Sequence, residues 1–154
     1  MKKYFFVILL FALAAFSCSK DVPPDEQVRQ YIGDIENHFE QRQATALKKY
    51  IAEEYRDGYG NTRKELLRFA AGYILHRPVI HVQTKIDEIL IHESEATAEV
   101  KVNVAITSEP LAEGDIRQLQ GEFHRFHITL HKNNNWQLHS LQWQNISIDE
   151  YLEP

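Results

Sequence analysis

Apolar and polar residues alternate along 95–107, where Ala96, Ala98, Val100, Val102, Val104 and Ile106 interleave with Glu95, Thr97, Glu99, Lys101, Asn103 and Thr107. A period of two belongs to a half-buried β-strand, because successive side chains of an extended chain point to opposite faces. Ala105 alone departs from the polar set. A strand over 79–92 is predicted to precede it, with Ile80, Val82 and Ile86 on one face. Ile89 and Ile91 fall out of register with these, and a β-bulge near Asp87 and Glu88 restores them. Phe126, Ile128 and Leu130 mark the inner face of a strand over 122–132. Three asparagines, Asn133 to Asn135, then turn the chain into a last strand over 136–148. Trp136 and Leu138 share a parity that Leu141 and Trp143 break, which calls for a second bulge near His139 and Ser140.

The first half of the domain has the helical period instead. Val28, Ile32, Ile35 and Phe39 recur at three- and four-residue spacing, which predicts a helix from an N-cap at Asp25 to about Gln43. A short second helix over 44–52 would bury Leu47, Tyr50 and Ile51. Asp57-Gly58-Tyr59-Gly60-Asn61 reads as a loop, since its glycines tolerate backbone angles that other residues resist. Thr62-Arg63-Lys64-Glu65 is a capping box that opens a third helix. Leu66, Phe69, Ala70, Tyr73 and Ile74 form its apolar stripe, and Pro78 stops it near His76. A long polar connection, 108–120, joins the second strand to the third. The fold class expected is α+β, with three N-terminal helices packed in the concave face of a strongly bent four-stranded antiparallel sheet.

The extreme N-terminus follows neither pattern. Lys2 and Lys3 precede an apolar run from Tyr4 to Phe16, too short for a bilayer span of about 20 residues and suited to an export signal. Ala15-Phe16-Ser17-Cys18 resembles the bacterial lipobox, in which the cysteine is lipidated and becomes the new N-terminus. The expected organisation is a signal peptide 1–17, a lipidated tether 18–24 anchored at Cys18, one domain over 25–148 and a C-terminal tail 149–154. Cleavage after Ala15-x-Ser17, leaving a soluble protein with a free thiol, is the alternative. Lipidation would place the domain in the cell envelope facing the periplasm, with the membrane as partner. Ser19 after the cysteine resembles the sorting pattern of outer-membrane lipoproteins in Gram-negative cells. Cys18 is the sole cysteine, which excludes an intrachain disulfide. The net charge of −5, all of its acids lying beyond the leader, argues against nucleic acid as a partner.

The order of elements, the glycine loop followed by Thr62-Arg63-Lys64-Glu65-Leu66-Leu67, and the closing Asn134-Asn135-Trp136-Gln137-Leu138 together resemble the nuclear transport factor 2-like, or cystatin-like, superfamily. The resemblance implies a cone whose interior is either filled or holds a small apolar ligand. Its expected lining is Leu66, Phe69, Tyr73, Val100, Val102, Phe126 and Ile128. Enzymes of that superfamily place an Asp or His with a Tyr inside the cone, so His124, Asp57, Tyr55 and Tyr59 are the catalytic candidates. His127, His131 and His139 fall on neighbouring outer positions and are the candidates for a surface metal site, against a solvated polar face. No cofactor is expected. An aliphatic and aromatic interior without an evident acid–base pair favours binding of a small apolar ligand or another envelope protein. An isomerase, lyase or hydrolase using the cone is the alternative, and the outer sheet face is the expected contact for a homodimer.

Overall fold

A computed structural model describes residues 22–110 and 121–153. Cys18, the expected signal peptide and most of the 108–120 connection lie outside these residues. No helix among the described residues is long and apolar enough to cross a membrane.

Helix α1 spans Pro24–Glu40. It begins one residue before the expected N-cap because Pro24, whose missing N–H costs nothing in a first turn, takes that turn itself. Asp25 and Glu26 sit within the same turn, where the helix dipole favours negative charge. The helix stops short of Gln43 because Arg42 turns left-handed, at φ 60°. The next segment, Ala44–Tyr50, is a 3-10 turn rather than an α-helix. Its continuation is drawn out to pair with the last strand: Ile51 bridges Leu138, and the Ala52 N–H donates to the Leu138 carbonyl at 2.9 Å.

Helix α2, Arg63–Leu75, carries the expected capping box. The Thr62 N–H donates to Glu65 Oε2 at 2.8 Å, and the Glu65 N–H returns to Thr62 Oγ1 at 3.4 Å.

Strands β1 (His81–His92), β2 (Thr97–Thr107), β3 (Gly121–Lys132) and β4 (Trp136–Asn145) form one antiparallel sheet in chain order. Both expected bulges are present. The register slips between Ile86 and Glu88 in β1, and at His139 between the pairs Thr129/Ser140 and Leu130/Leu138. Strand β2 begins at Thr97, later than the alternation suggests, because Ala96 is left-handed at φ 50° and closes the Glu93–Glu95 turn.

The fold is thus α+β. On the concave face Val28, Tyr31 and Ile32 of α1 pack against Ala98, Val100, Leu130, Leu138 and Leu141. Removing each of the Val, Ile and Leu side chains from water contributes about 1.5–3 kcal/mol.

The convex face holds a second, smaller core that the strand pattern hints at only through Ala105. Ala105 and Phe123 are covered by Ile146 and Tyr151. Strand β4 ends at Asn145, short of the expected Ile148, and Ile148 with the first residues of the expected tail forms helix α3, Ile148–Leu152, with its own capping box between Ser147 and Glu150. Lys85 Nζ donates to the carbonyls of Tyr151 and Glu153 at 2.9 and 3.2 Å, placing a cation at the helix C-terminus. Burial, with the charge of Glu36 behind it, pushes the Tyr151 phenol up to about 12. Asn103 is buried on this face with its amide partnered: it donates to Asp87 at 3.0 Å and accepts from Arg125 Nε at 2.9 Å. Part of the convex face is therefore covered by the chain itself.

Candidate functional site

Strand register places inward side chains in rows across the sheet. Val82, Ile106 and Glu122 share one row, Thr84, Val104 and His124 the next, and Ile86, Val102, Phe126 and Trp143 a third. Helix α1 lies against β1, whereas α2 packs mainly on the 3-10 turn. Since α2 is propped away from the sheet, the interior is not filled. A cavity of about 590 Å³ opens between α1, α2 and the inner sheet face. Its wall is chiefly aliphatic and aromatic, including Ile32, Ile35, Phe39, Val102, Val104 and Ile128.

Two carboxylates with their partners interrupt that wall. On one side Thr84 Oγ1 donates to Glu36 Oε2 at 2.6 Å. On the other, Glu122 gathers three partners. Tyr73 donates its hydroxyl to Glu122 Oε2 at 3.0 Å, Arg77 pairs with Glu122 Oε1, and His124 Nε2 lies 3.6 Å from Glu122 Oε2. The Arg77 guanidinium also covers the Tyr73 ring at 3.6 Å, a cation–π contact. Burial pushes the Tyr73 phenol well above its ordinary range, and the Glu122 carboxylate adds to the shift against the opposing charge of Arg77. Tyr73 is therefore a neutral donor at physiological pH. His124 Nδ1 is buried with no hydrogen-bond partner among the described residues. An imidazole beside a carboxylate, with a phenol on the same oxygen, has the parts needed to move a proton to or from a ligand hydroxyl or carbonyl.

Leu66, Phe69, Tyr73, Val102, Phe126 and Ile128 all line the cavity. Phe69 does so at the mouth, remaining 54% exposed. Val100 does not line it: it belongs to the packed core with Val28 and Leu130, deeper along the strand.

His124 is in the wall, as its shared parity with Phe126 suggests. Tyr59 is a rim residue, 68% exposed, its ring edge-on to Trp143 with centroids 4.9 Å apart. Asp57 is buried within its own loop, and its carboxylate accepts from the Tyr59 N–H, the Asn61 N–H and Asn61 Nδ2, each at 2.8 Å. That removes it from the catalytic candidates. Tyr55 is a core residue, and burial together with the nearby Asp57 charge raises its phenol pKa well beyond reach.

Glu122, Arg77 and Glu36 were not singled out from the sequence, although two signals pointed that way. Glu122 shares the inward parity of His124, and Glu36 lies four residues after Ile32 on the apolar face of α1.

The outer histidines separate. His131 and His139 stack face to face, 3.9 Å between centroids and 6° from parallel. Stacked rings direct their in-plane lone pairs side by side rather than toward a common centre, which does not make a tetrahedral site. Burial, followed by the neighbouring His139, holds the His131 imidazole below its ordinary pKa. His127 lies apart, in a shallow cleft of about 370 Å³ with Tyr59, Gln142 and Trp143. No group of three or more potential ligands is gathered for a metal among the described residues.

No family model and no curated protein matches the sequence. Solved structures do. A protein provisionally named as a scytalone dehydratase, from Novosphingobium aromaticivorans, superposes with a TM-score of 0.64 at 15% identity, covering 79% of this chain and 83% of that one. A protein provisionally named as a dehydratase of the nuclear transport factor 2-like family, from Streptomyces avermitilis, gives 0.60 at 18% identity over 79% and 96%. A domain of unknown function with a cystatin-like fold, from Nostoc punctiforme, gives 0.60 at 12% identity over 87% and 83%. The chain has the nuclear transport factor 2-like, cystatin-like fold.

Proposed function

We propose that the cone binds a small, predominantly apolar molecule. The cavity carries this reading: its volume of about 590 Å³ and aliphatic wall with a few polar groups match the usual small-molecule site of roughly 300–1,000 Å³. An uncharged solvatochromic dye should bind and raise the melting temperature by mass action on the folded state. Val104→Phe, which fills the middle of the cavity, should weaken dye binding at least about tenfold while leaving the protein folded, since the new ring occupies empty space. Equal dye affinity in the filled variant would mean that the dye sits elsewhere.

The meeting of His124, Glu122 and Tyr73 favours a second reading, acid–base chemistry on that ligand, and two proteins of the same fold carry the provisional name dehydratase. Loss of turnover of a hydroxylated substrate in His124→Ala, with dye affinity preserved, would establish it. Retained turnover would leave binding alone.

We also propose that the domain is carried at the envelope membrane by lipidated Cys18. The apolar run from Tyr4 to Phe16 and the cysteine placed directly behind it support this. The two or three acyl chains of a lipoprotein cysteine anchor stably where one does not. Cys18→Ser should abolish incorporation of labelled lipid and shift the protein out of the membrane fraction. Unchanged fractionation would refute the anchor.

A further inference from the structure

We infer that the cavity selects ligands whose polar end is an uncharged hydrogen-bond donor, an alcohol or phenol, and discriminates against carboxylates. The inference rests on the binding reading above and follows from an inventory of the cavity's polar atoms.

Almost every side-chain donor in the wall is already committed to the protein. Tyr31 donates to the Tyr50 carbonyl, Tyr50 to Asp34, Tyr59 to the Trp143 carbonyl and Asn61 to Asp57. Tyr73 donates to Glu122 and Thr84 to Glu36. Among the described residues, the indole N–H of Trp143 at the rim, the second amide hydrogen of Asn61 and the imidazole of His124 are the exceptions. Acceptors, by contrast, remain open. Among the described residues Glu36 receives one hydrogen bond, on Oε2, and no Lys, Arg or His lies within ion-pair distance of it. The hydroxyl oxygen of Thr84 can accept as well as donate.

Charge points the same way. Glu122 is balanced by Arg77, which leaves the Glu36 carboxylate uncompensated on an apolar wall. Thr84 and His124 share a row with Val104 between them, so the two polar groups stand about 10 Å apart, two strand spacings. An anion placed in a cavity of that width cannot retreat far from Glu36, and repulsion across low-dielectric walls is screened less than in water. A hydroxyl brings the donor that the open acceptors lack.

Three ligands of one chain length separate the possibilities: 1-octanol, octyl methyl ether and octanoate, each competing with the uncharged dye at pH 8. Octanol is expected to compete best. The ether, which keeps the chain but has no donor, should be about fivefold weaker, the worth of one hydrogen bond. Octanoate should be at least about tenfold weaker, and Glu36→Gln should recover most of that loss. Octanoate or the ether matching octanol on the wild-type protein would overturn the inference and leave the cavity reading standing. If none of the three competes with bound dye, the inference fails likewise. Absence of dye binding would instead remove the cavity reading, and the inference with it.

Discussion

Val100→Asp should leave no cooperatively folded domain, whereas Lys101→Gln, one residue along the same strand, should change stability by no more than about 0.5 kcal/mol. Val100 is packed among Val28, Leu130 and Leu141 in the apolar core. An aspartate there must either stay protonated or bury an unpaired charge, and it also loses the packing of the valine. The combined cost exceeds about 4 kcal/mol, a large part of the roughly 5–15 kcal/mol that holds an ordinary domain together. Lys101 is on the opposite face, across from Glu88 and His127, where an amide is readily solvated. Val102→Asp is the informative intermediate. Val102 borders the cavity, so a carboxylate there has open space beside it and should cost less than at Val100. Urea denaturation followed by circular dichroism reads all three. Equal damage at positions 100 and 101 would show that the face assignment is wrong.

Asp57→Ala should cost about 2–3 kcal/mol, because it removes the charged acceptor shared by the N–H groups of Tyr59 and Asn61. The loop is built around this carboxylate. Gly60 takes a positive φ of 85°, its N–H donates to the Asp57 carbonyl at 3.0 Å, and Tyr59 is thereby held on the cavity rim. Burial opposes ionisation of Asp57, but hydrogen bonds from Asn61 and Tyr59 outweigh it and hold the carboxyl below its ordinary range. A depressed pKa stabilises the fold in full above the unfolded-state value, about 3.9, and that contribution disappears as pH falls through the folded-state value. Asp57→Asn should therefore be less stable than wild type near pH 7 and lose less on acidification to about pH 3. Parallel acid limbs in the two proteins would show that the carboxylate does not organise the loop. Dye affinity in Asp57→Ala should change with the freedom of Tyr59, without loss of the cavity itself.

Much of the fold is readable from the chain because the responsible patterns are local. A strand exposes alternate residues whatever it pairs with, so the inward face of β2 and the parity breaks at Asp87 and His139 can be seen before any partner is known. The capping box of Thr62 and Glu65 is likewise complete within four residues. Departures from expectation occur where a distant contact overrides local preference. The pairing of Ile51 with Leu138 drew the second helix into a 3-10 turn, and the cover over Ala105 made a helix of the expected tail.

The site was legible only in part, for the same reason. Parity placed His124, Val102, Phe126 and Ile128 on the concave face, but parity says nothing about how far a helix stands from it. Whether that face encloses a cavity depends on α2 resting on the 3-10 turn rather than on the sheet. The polar groups depend on it too. Tyr73 and Arg77 reach Glu122 across 49 and 45 residues of chain, and Glu36 reaches Thr84 across 48. The sequence by itself determined the four strands, their faces and the capped start of α2, because these follow from backbone geometry over a few residues. Only the tertiary structure decided which ionisable side chains meet and whether space remains between the layers, because both are set by packing between segments far apart in the chain.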